Sequence, residues 1–284
     1  MDSAQVLLIA LAAFVGGLVN GALGYGFSSI TVPIGLLFLT NRTLNPALIC
    51  VEVLLNGSVL WINRDAIGRV IRRVVPIIVG LIPGVAIGTL IVGVVDASIL
   101  RLVTLVALLP LILLQAGGWR RAIARERSAG VIFGVAVGVL YAVTTISGPP
   151  LALALNNQGL AAVDFRAGLG LIRLAESGMT TIAYLQAGFF TADTIQLVMV
   201  ILPAALIGIP LGAAVARRLH AETFRRVCMS VDAWIVAFGI AVLLRTLFGV
   251  DVRAAAAIVA AIGSVDAWLL YRFFSVRRAV AHVS

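Results

Sequence analysis

The sequence contains no lysine and few of the residues that build metal sites, disulfides or a soluble surface. Two cysteines and two histidines occur among 284 residues, and their spacing matches no zinc, haem or iron–sulfur ligand set. Charged residues make up 12% of the chain, whereas about 25% is usual in soluble domains. These shortages exclude a soluble globular domain and predict a protein without a metal or a cofactor.

Apolar residues fill the composition instead, at 62% of the chain with a mean hydropathy of +1.13. A core alone could not hold so many apolar side chains, so much of the surface must face lipid. We therefore predict an all-α membrane protein, in which each helix satisfies its own backbone. About seven stretches are long enough to cross fully: Leu44–Ile62, Val74–Val95, Ser98–Gln115, Val163–Ala187, Thr194–Ala216, Val227–Leu244 and Val252–Tyr271.

Two further pairs of apolar segments are interrupted by breaks, at Gly21–Gly26 and at Thr144–Pro150. Each segment falls short of the roughly 20 residues that span the hydrocarbon core. We expect each pair to enter and leave the membrane on one side, as a re-entrant hairpin or as two tilted helices. The four segments are Val6–Asn20, Phe27–Thr40, Ala129–Thr144 and Pro150–Asn157.

Three local similarities recur in the same order along the chain, at separations of 117, 120 and 124 residues. The matched pairs are Pro33 with Pro150, Pro83–Gly88 with Pro203–Gly208, and Asp96–Arg101 with His220–Arg225. Small loop insertions would produce this drift. We predict two transmembrane repeats, 1–116 and 129–247, joined by an arginine-rich cytoplasmic linker at 117–128. An extra helix and a tail follow at 248–284.

Arginine clusters between the apolar stretches predict the orientation, because cytoplasmic loops of membrane proteins are enriched in basic residues. The arginine-poor loops at 95–98, 188–193 and 245–252 are then external. The loop at 63–73 and its repeat partner at 188–193 lie on opposite sides, so the halves are inverted. We expect a bacterial inner-membrane protein with an external N-terminus and a cytoplasmic C-terminus. The clusters are Arg64, Arg69, Arg72 and Arg73; Arg120, Arg121, Arg125 and Arg127; Arg217, Arg218, Arg225 and Arg226; and Arg272, Arg277 and Arg278.

The two breaks are the candidate binding site for an anion. Broken helices at membrane depth are tolerated where protein or a water-filled cavity satisfies the backbone. A half-helix that begins near Phe27 or Pro150 points amide donors and a positive dipole end at the midplane. The alternative is that small residues there only permit close helix packing. The candidate substrate ligands are Asn20, Tyr25, Ser28 and Ser29 in one half, and Tyr141, Thr144, Thr145 and Ser147 in the other.

Ionisable residues within spans are costly to bury and are therefore further functional candidates. Arg173 could contact an anion directly, because its planar fork suits a carboxylate, sulfonate or sulfite. It could instead neutralise Glu176 on its own helix, or pair with Glu52 of the other half. Glu52 and Glu176 are the candidates for a coupling proton. Asp266, on the unrepeated helix, is interpreted as a packing or oligomer contact.

The first break carries a motif, Gly17-Leu-Val-Asn-Gly21-Ala-Leu-Gly24-Tyr-Gly26-Phe followed by Thr31-Val-Pro33, that resembles the sulfite exporter TauE/SafE family. The second copy runs from Gly134 to Pro150 and has Thr144 and Thr145 where glycines are usual in the family. The resemblance implies export of sulfite, sulfonates or related sulfur-containing acids by secondary transport. It also implies an anion site formed by Asn20–Ser29 and Thr144–Pro150.

These features together predict a secondary transporter of a small anion, working by alternating access and coupled to protons. The expected partners are the anion, the lipid bilayer and further copies of the chain, with no nucleic acid because the arginines form no basic face on a soluble domain. An anion channel, a structural membrane subunit and an intramembrane enzyme are the alternatives.

The predicted topology can be tested by cysteine labelling in a variant that lacks Cys50 and Cys228. A membrane-impermeant maleimide applied from outside should label a cysteine at Asp193 and should leave one at Arg121 unlabelled until the membrane is permeabilised. External labelling at Arg121 would contradict the orientation of both halves.

Overall fold

A computed structural model of the protein describes residues 2–117, 126–156, 160, 162–218 and 221–281. Every regular element in these ranges is helical, which confirms the predicted all-α class. A single 3-10 turn at Arg64–Ala66 precedes α4. The helices are α1 Ser3–Leu23, α2 Phe27–Gly35, α3 Asn41–Ile62, α4 Ile67–Val94, α5 Ala97–Gly117, α6 Glu126–Thr144, α7 Gly148–Asn156, α8 Ala162–Gln186, α9 Ala192–Arg218, α10 Ala221–Phe248 and α11 Val252–Ala281.

Six helical stretches within the described ranges are long and apolar enough to cross a membrane. This number agrees with a multi-pass membrane protein. They are Ser3–Ala22, Asn41–Ile62, Arg64–Val94, Ala192–Ala214, Met229–Phe248 and Val252–Ser275, with shorter apolar helices at Ala97–Pro110 and Gly130–Thr144.

The set of spans differs from the predicted seven. The first segment was expected to be short, but α1 has 21 residues because an Asp2–Gln5 capping box starts it early and it continues through Gly21. α5 contributes only a shorter apolar helix. α8 has 25 residues, yet its charged and hydroxyl side chains exclude it from the apolar spans. Two of the charged side chains, Arg173 and Glu176, belong to the candidate site described below.

The first interrupted pair forms a hairpin. A Cβ atom placed on Gly16 would lie 2.7 Å from the carbonyl oxygen of Phe27, and one placed on Gly35 would lie 3.2 Å from Ile9 Cδ1. The start of α2 therefore lies beside the later part of α1, and the end of α2 lies beside its early part. α2 has nine residues and is about 14 Å long, roughly half of the hydrocarbon thickness.

The two helices that precede the breaks, α1 and α6, each pack backbone to backbone against a long helix. α1 packs against α9, and α6 packs against α4. A Cβ atom on Gly21 would lie 2.0 Å from the carbonyl oxygen of Ile209, and one on Gly134 would lie 2.2 Å from that of Ile77. Only glycine allows this approach, as in other close helix contacts in membranes. Gly21 thus serves packing, and the first break begins only at Gly24.

Two arginine side chains complete backbone hydrogen bonding at loops. Arg42 donates from Nε to the carbonyl of Val92 at 2.8 Å and from Nη2 to those of Gly93 and Val95. These carbonyls end α4 and would otherwise lack intrahelical partners. Arg101 donates to the carbonyl of Leu39. Both guanidinium groups therefore fix the loops at one end of the bundle.

Two large clusters of buried side chains form the interior. One joins α1, α2, α3, α5, α9 and α10, and the other joins α4, α6, α7 and α8. Tyr25, which follows the end of α1, belongs to the second cluster, and Ile146 of the second break belongs to the first. The first break therefore places Tyr25 in the cluster of α4, α6, α7 and α8, and the second break places Ile146 in the cluster of the other helices.

The glycine contact between α4 and α6 predicts a specific loss of stability. Gly134→Ala should lower the free energy of unfolding by about 1–3 kcal/mol, because its methyl group collides with a backbone oxygen that cannot move alone. The measurement is thermal or denaturant unfolding of the purified protein in detergent.

Gly178→Ala is the matched control, since Gly178 is also helical and a Cβ there meets nothing within 4 Å. Its helix propensity should make that variant equal to or more stable than the wild type. Equal stability of the two variants would contradict the close contact at Gly134.

Candidate functional site

The first break is a three-residue reversal, Gly24–Gly26, with a glycine at each end. Gly24 and Gly26 have φ angles of +83° and +103°, which side-chain-bearing residues rarely adopt. Gly26 is the N-cap of α2 and provides no side-chain oxygen to the first-turn amides. The break therefore begins a half-helix whose amide end has no capping side chain.

The second break reaches a similar reversal without glycine. Thr145 has a φ angle of +55°, a conformation that costs a non-glycine residue roughly 1–2 kcal/mol. Its hydroxyl donates to the carbonyl of Thr144 at 2.7 Å. The Thr144 hydroxyl donates to the carbonyl of Leu140 at 2.7 Å and accepts the amide of Ile146 at 3.0 Å. Both threonine hydroxyls thus hold the break in shape.

Side chains from neighbouring helices satisfy the carbonyl groups at the end of α6. Asn41 and Asn45 of α3 donate to the carbonyl of Val143 at 3.0 and 2.8 Å. The Tyr184 hydroxyl of α8 donates to the carbonyl of Ala142. None of these three residues was among the candidates predicted from the sequence. Asn41 and Asn45 nevertheless lie in the first turns of an apolar helix, which is a detectable signal.

The breaks meet each other inside the protein. A Cβ atom on Gly148, the first residue of α7, would lie 3.2 Å from the Tyr25 ring. Tyr25 is 4% exposed and Ser147 is fully buried. The structure therefore brings together the two interruptions that the sequence places 120 residues apart, away from the outer surface.

A buried carboxylate, that of Glu52 on α3, lies where α2, α6 and α8 approach α3. Its Oε1 accepts hydrogen bonds from the Ser28 hydroxyl of α2 and from Arg173 Nη2 of α8, the latter at 2.8 Å. Its Oε2 accepts the Tyr141 hydroxyl of α6 at 2.6 Å. All four residues are at most 3% exposed. Three helices thus direct donors at one carboxylate.

The second buried carboxyl, that of Glu176 on α8, has fewer partners. It accepts the Ser147 hydroxyl at the start of α7, and its other oxygen, Oε1, has no hydrogen-bond partner in the described part of the chain. Glu176 is fully buried. Among the residues that the structure describes, the ion pair of Arg173 is with Glu52 and not with Glu176. Of the two pairings considered for Arg173, the one with Glu52 is present.

Several buried polar atoms on α1, α3 and α8 have no hydrogen-bond partner among the described residues. Arg173 Nε and Nη1 are buried without a hydrogen-bond partner among the described residues, as are Asn20 Oδ1 and Asn56 Nδ2. Asn56 lies one helical turn from Glu52 and was missed by the sequence analysis. Ser29 is buried at 2% exposure. Arg173 and Asn56 thus offer unsatisfied donors, those of Arg173 carrying a positive charge, and such donors suit a small anion, whereas Asn20 Oδ1 is an acceptor.

Other sequence candidates lie elsewhere. Asp266 on α11 is buried and accepts the Ser230 hydroxyl of α10, so it joins the last two helices. Arg120, Arg121 and Arg125 of the predicted linker lie outside the described residues. The described chain contains no group of three His, Cys, Asp or Glu side chains able to hold a metal ion.

Comparison with known proteins gives one family. Residues 9–238 match the sequence model described as sulfite exporter TauE/SafE. The matched region includes both breaks and both buried glutamates, and it ends before α11. Searches of curated proteins and of solved structures gave no significant match.

The ion pair at the centre predicts strong energetic coupling. Glu52→Ala or Arg173→Ala alone should cost about 3–5 kcal/mol of stability, because each leaves an uncompensated buried charge. The double variant should lose less than the sum, with a coupling energy of about 1–3 kcal/mol. Denaturant unfolding in detergent measures all three variants.

Pairing Arg173→Ala with Thr194→Ala provides the control, because Thr194 is buried in the first turn of α9 and its hydrogen bonds in the described part of the chain are to Thr191. The losses of unfolding free energy in these two single variants should add in the double variant. Simple addition for Glu52 and Arg173 would instead show that the two side chains do not act as a pair.

Proposed function

Because the chain belongs to the sulfite exporter TauE/SafE family, we propose that it exports small sulfur-containing or organic anions, such as sulfite or sulfonates. The family is one of membrane transporters and not of enzymes. The proposed mechanism is secondary transport by alternating access, coupled to protons. An anion channel is the alternative that the transport assay below distinguishes.

The observation that carries this proposal is the buried guanidinium group of Arg173. It makes one ion pair through Nη2, while Nε and Nη1 have no hydrogen-bond partner among the described residues. Buried donors of this kind are costly unless a ligand or water satisfies them. The planar group can contact two oxygens of a sulfite, sulfonate or carboxylate at once.

The starts of the two half-helices support the same location. α2 begins beside Ser28 and α7 begins at Gly148 after Ser147, and both serine hydroxyls reach the buried glutamates. Helix N-termini favour negative charge through their free amides and dipoles. We propose Asn20, Tyr25, Ser28, Ser29, Tyr141, Ser147 and Arg173 as residues that line the anion path. Thr144 and Thr145, whose hydroxyls bond the break itself, would support it indirectly.

We further propose that the two halves form an inverted repeat, which the packing of the glycines supports. The backbone of Gly17 contacts Ala205 on α9 just as Gly134 contacts Ile77 on α4. Three other glycine contacts between α1 and α9 have a counterpart between α6 and α4. In each case the α1 residue and its α6 counterpart are 117 residues apart in the sequence, and the α4 residue and its α9 counterpart are 128 residues apart. They are Gly21 to Ile209 with Gly138 to Leu81, Gly208 to Phe14 with Gly80 to Val131, and Gly212 to Leu18 with Gly84 to Val135. A two-fold rotation that places α1 on α6 and α4 on α9 would turn the α1–α9 contact into the α6–α4 contact, as these pairs show.

The packing separation differs from the 120 residues inferred for Pro83–Gly88 and Pro203–Gly208. A separation near 127 instead aligns Pro76 with Pro203 and Pro83 with Pro210, which occur at equal spacing within α4 and α9. The two proline pairs therefore lie within one residue of the 128-residue separation of the glycine contacts and seven residues from the earlier value of 120.

This arrangement suggests how access alternates. α1 of the first half is packed on α9 of the second, and α6 of the second half is packed on α4 of the first. Each tight pair would move as a unit, and sliding of one pair relative to the other would open the breaks to one side. The described conformation has both breaks buried, so we assign it to a closed state of the cycle.

The transport proposal can be tested in proteoliposomes with radiolabelled sulfite and with a sulfonate. Flux should saturate with anion concentration and should depend on an imposed pH gradient, as expected for a coupled carrier. Arg173→Lys should reduce anion affinity at least tenfold, about 1.4 kcal/mol, because an ammonium group lacks the planar fork.

Arg69→Lys is the matched control, since Arg69 forms an exposed ion pair with Asp164 and should retain the wild-type flux. Unsaturated, ohmic current would favour a channel. Unchanged affinity in Arg173→Lys would exclude Arg173 as an anion ligand.

A further inference from the structure

The Glu52 carboxylate receives the donors that a bound anion would need. Ser28, Tyr141 and Arg173 are three of the residues proposed to line the anion path, and each donates to Glu52. Two of these donors are neutral hydroxyls and one is a cation, a set suited to a compact oxyanion. The anion site is therefore already engaged by a carboxylate that belongs to the chain.

We propose that Glu52 is an internal competitor of the transported anion, so that the anion binds Arg173 only when Glu52 takes up a proton and withdraws from it. This proposal rests on the proposed transport function. It adds that Glu52 is the residue that takes up the proton and that proton uptake favours anion binding. The incoming oxyanion forms hydrogen bonds to the Arg173 guanidinium and to the hydroxyls of Ser28 and Tyr141. The proton from solution forms an O–H bond on the Glu52 carboxyl group.

Charge balance at the centre gives the physical reason. In the structure, the charges of Arg173 and Glu52 cancel within a fully buried environment. A bound monoanion with ionised Glu52 would leave one uncompensated negative charge there, which is costly at low dielectric. A bound monoanion with protonated Glu52 restores the balance. The empty and loaded forms then bury the same net charge, so both can change conformation.

The groups around Glu52 are few and have distinct roles. Ser28 of α2, Tyr141 of α6 and Arg173 of α8 contact it directly, and Glu176 lies three residues after Arg173 on α8. Glu176 has no ion pair with Arg173 among the described residues and accepts the Ser147 hydroxyl instead. The competition is therefore specific to Glu52, the carboxylate that pairs with Arg173.

The transport consequence is symport of one proton with each monoanion. The empty carrier returns with Glu52 ionised and paired with Arg173, and the loaded carrier moves with Glu52 protonated. The net direction then follows the combined gradients of anion and proton, and export occurs when the internal anion concentration outweighs the proton gradient.

The test measures binding of methanesulfonate to the purified protein across a range of pH by calorimetry. A sulfonate remains a monoanion throughout this range, whereas sulfite itself exchanges a proton near neutrality. In the wild type, affinity should fall as pH rises, approaching about tenfold per pH unit, with uptake of one proton per anion bound. In Glu52→Gln, affinity should not depend on pH, and proton uptake should vanish.

Glu176→Gln is the matched control, because it removes a buried carboxyl that also accepts a serine hydroxyl but does not pair with Arg173. It should keep the pH dependence of the wild type. If Glu52→Gln is unstable because Arg173 loses its counter-ion, methanesulfonate should restore its melting temperature, with a larger shift than in wild type or in Glu176→Gln.

The outcomes separate the two proposals. Methanesulfonate binding that is independent of pH in the wild type, or pH dependence that survives Glu52→Gln and disappears in Glu176→Gln, would overturn the competitor role and leave the transport function standing. An absence of binding by sulfite, methanesulfonate and thiosulfate in the wild type and in Glu52→Gln would overturn both.

Discussion

An ionised carboxylate in the interior of an apolar helical bundle requires donors, and this requirement at Glu52 organises the centre of the protein. Without partners its burial would cost several kcal/mol, a substantial part of the stability of a typical domain. Ser28, Tyr141 and Arg173 supply those donors from three different helices. The carboxylate therefore fixes the start of α2, the inner face of α6 and the middle of α8 around α3. Ser28 follows the first break and Tyr141 precedes the second, so the same contacts hold both breaks near Glu52.

The backbone at the two breaks is satisfied in different ways. The first relies on the freedom of Gly24 and Gly26, whose positive φ angles reverse the chain within a few residues. The second keeps threonines and depends on donors from other helices, Asn41, Asn45 and Tyr184, for its carbonyl groups. The first reversal is therefore local in origin, whereas the second is supported by tertiary contacts.

Much of the fold could be predicted from the sequence because hydropathy, proline and glycine act locally. The all-α class and the two breaks followed from these signals. The length of α1 did not, because Gly21 is a helix breaker in isolation and becomes helical only where the α9 backbone covers it. The Arg173 pairing also stayed open, since Glu176 is closer in sequence and only the packing of α3 on α8 selects Glu52. Asn56 carried too weak a signal to be found among the other polar residues.

The centre departs from the proposed two-fold symmetry in one respect. Glu52 and Glu176 are 124 residues apart, and each accepts a serine hydroxyl from the start of a half-helix, so they occupy related positions. At that separation the counterpart of Arg173 is Ile49, which is fully buried in an apolar cluster. A second arginine there would bring another buried cation, and with it a second strong anion contact. Arg173 therefore gives this centre a cationic contact that has no counterpart at Ile49, and in the described part of the chain it pairs with Glu52 rather than with Glu176.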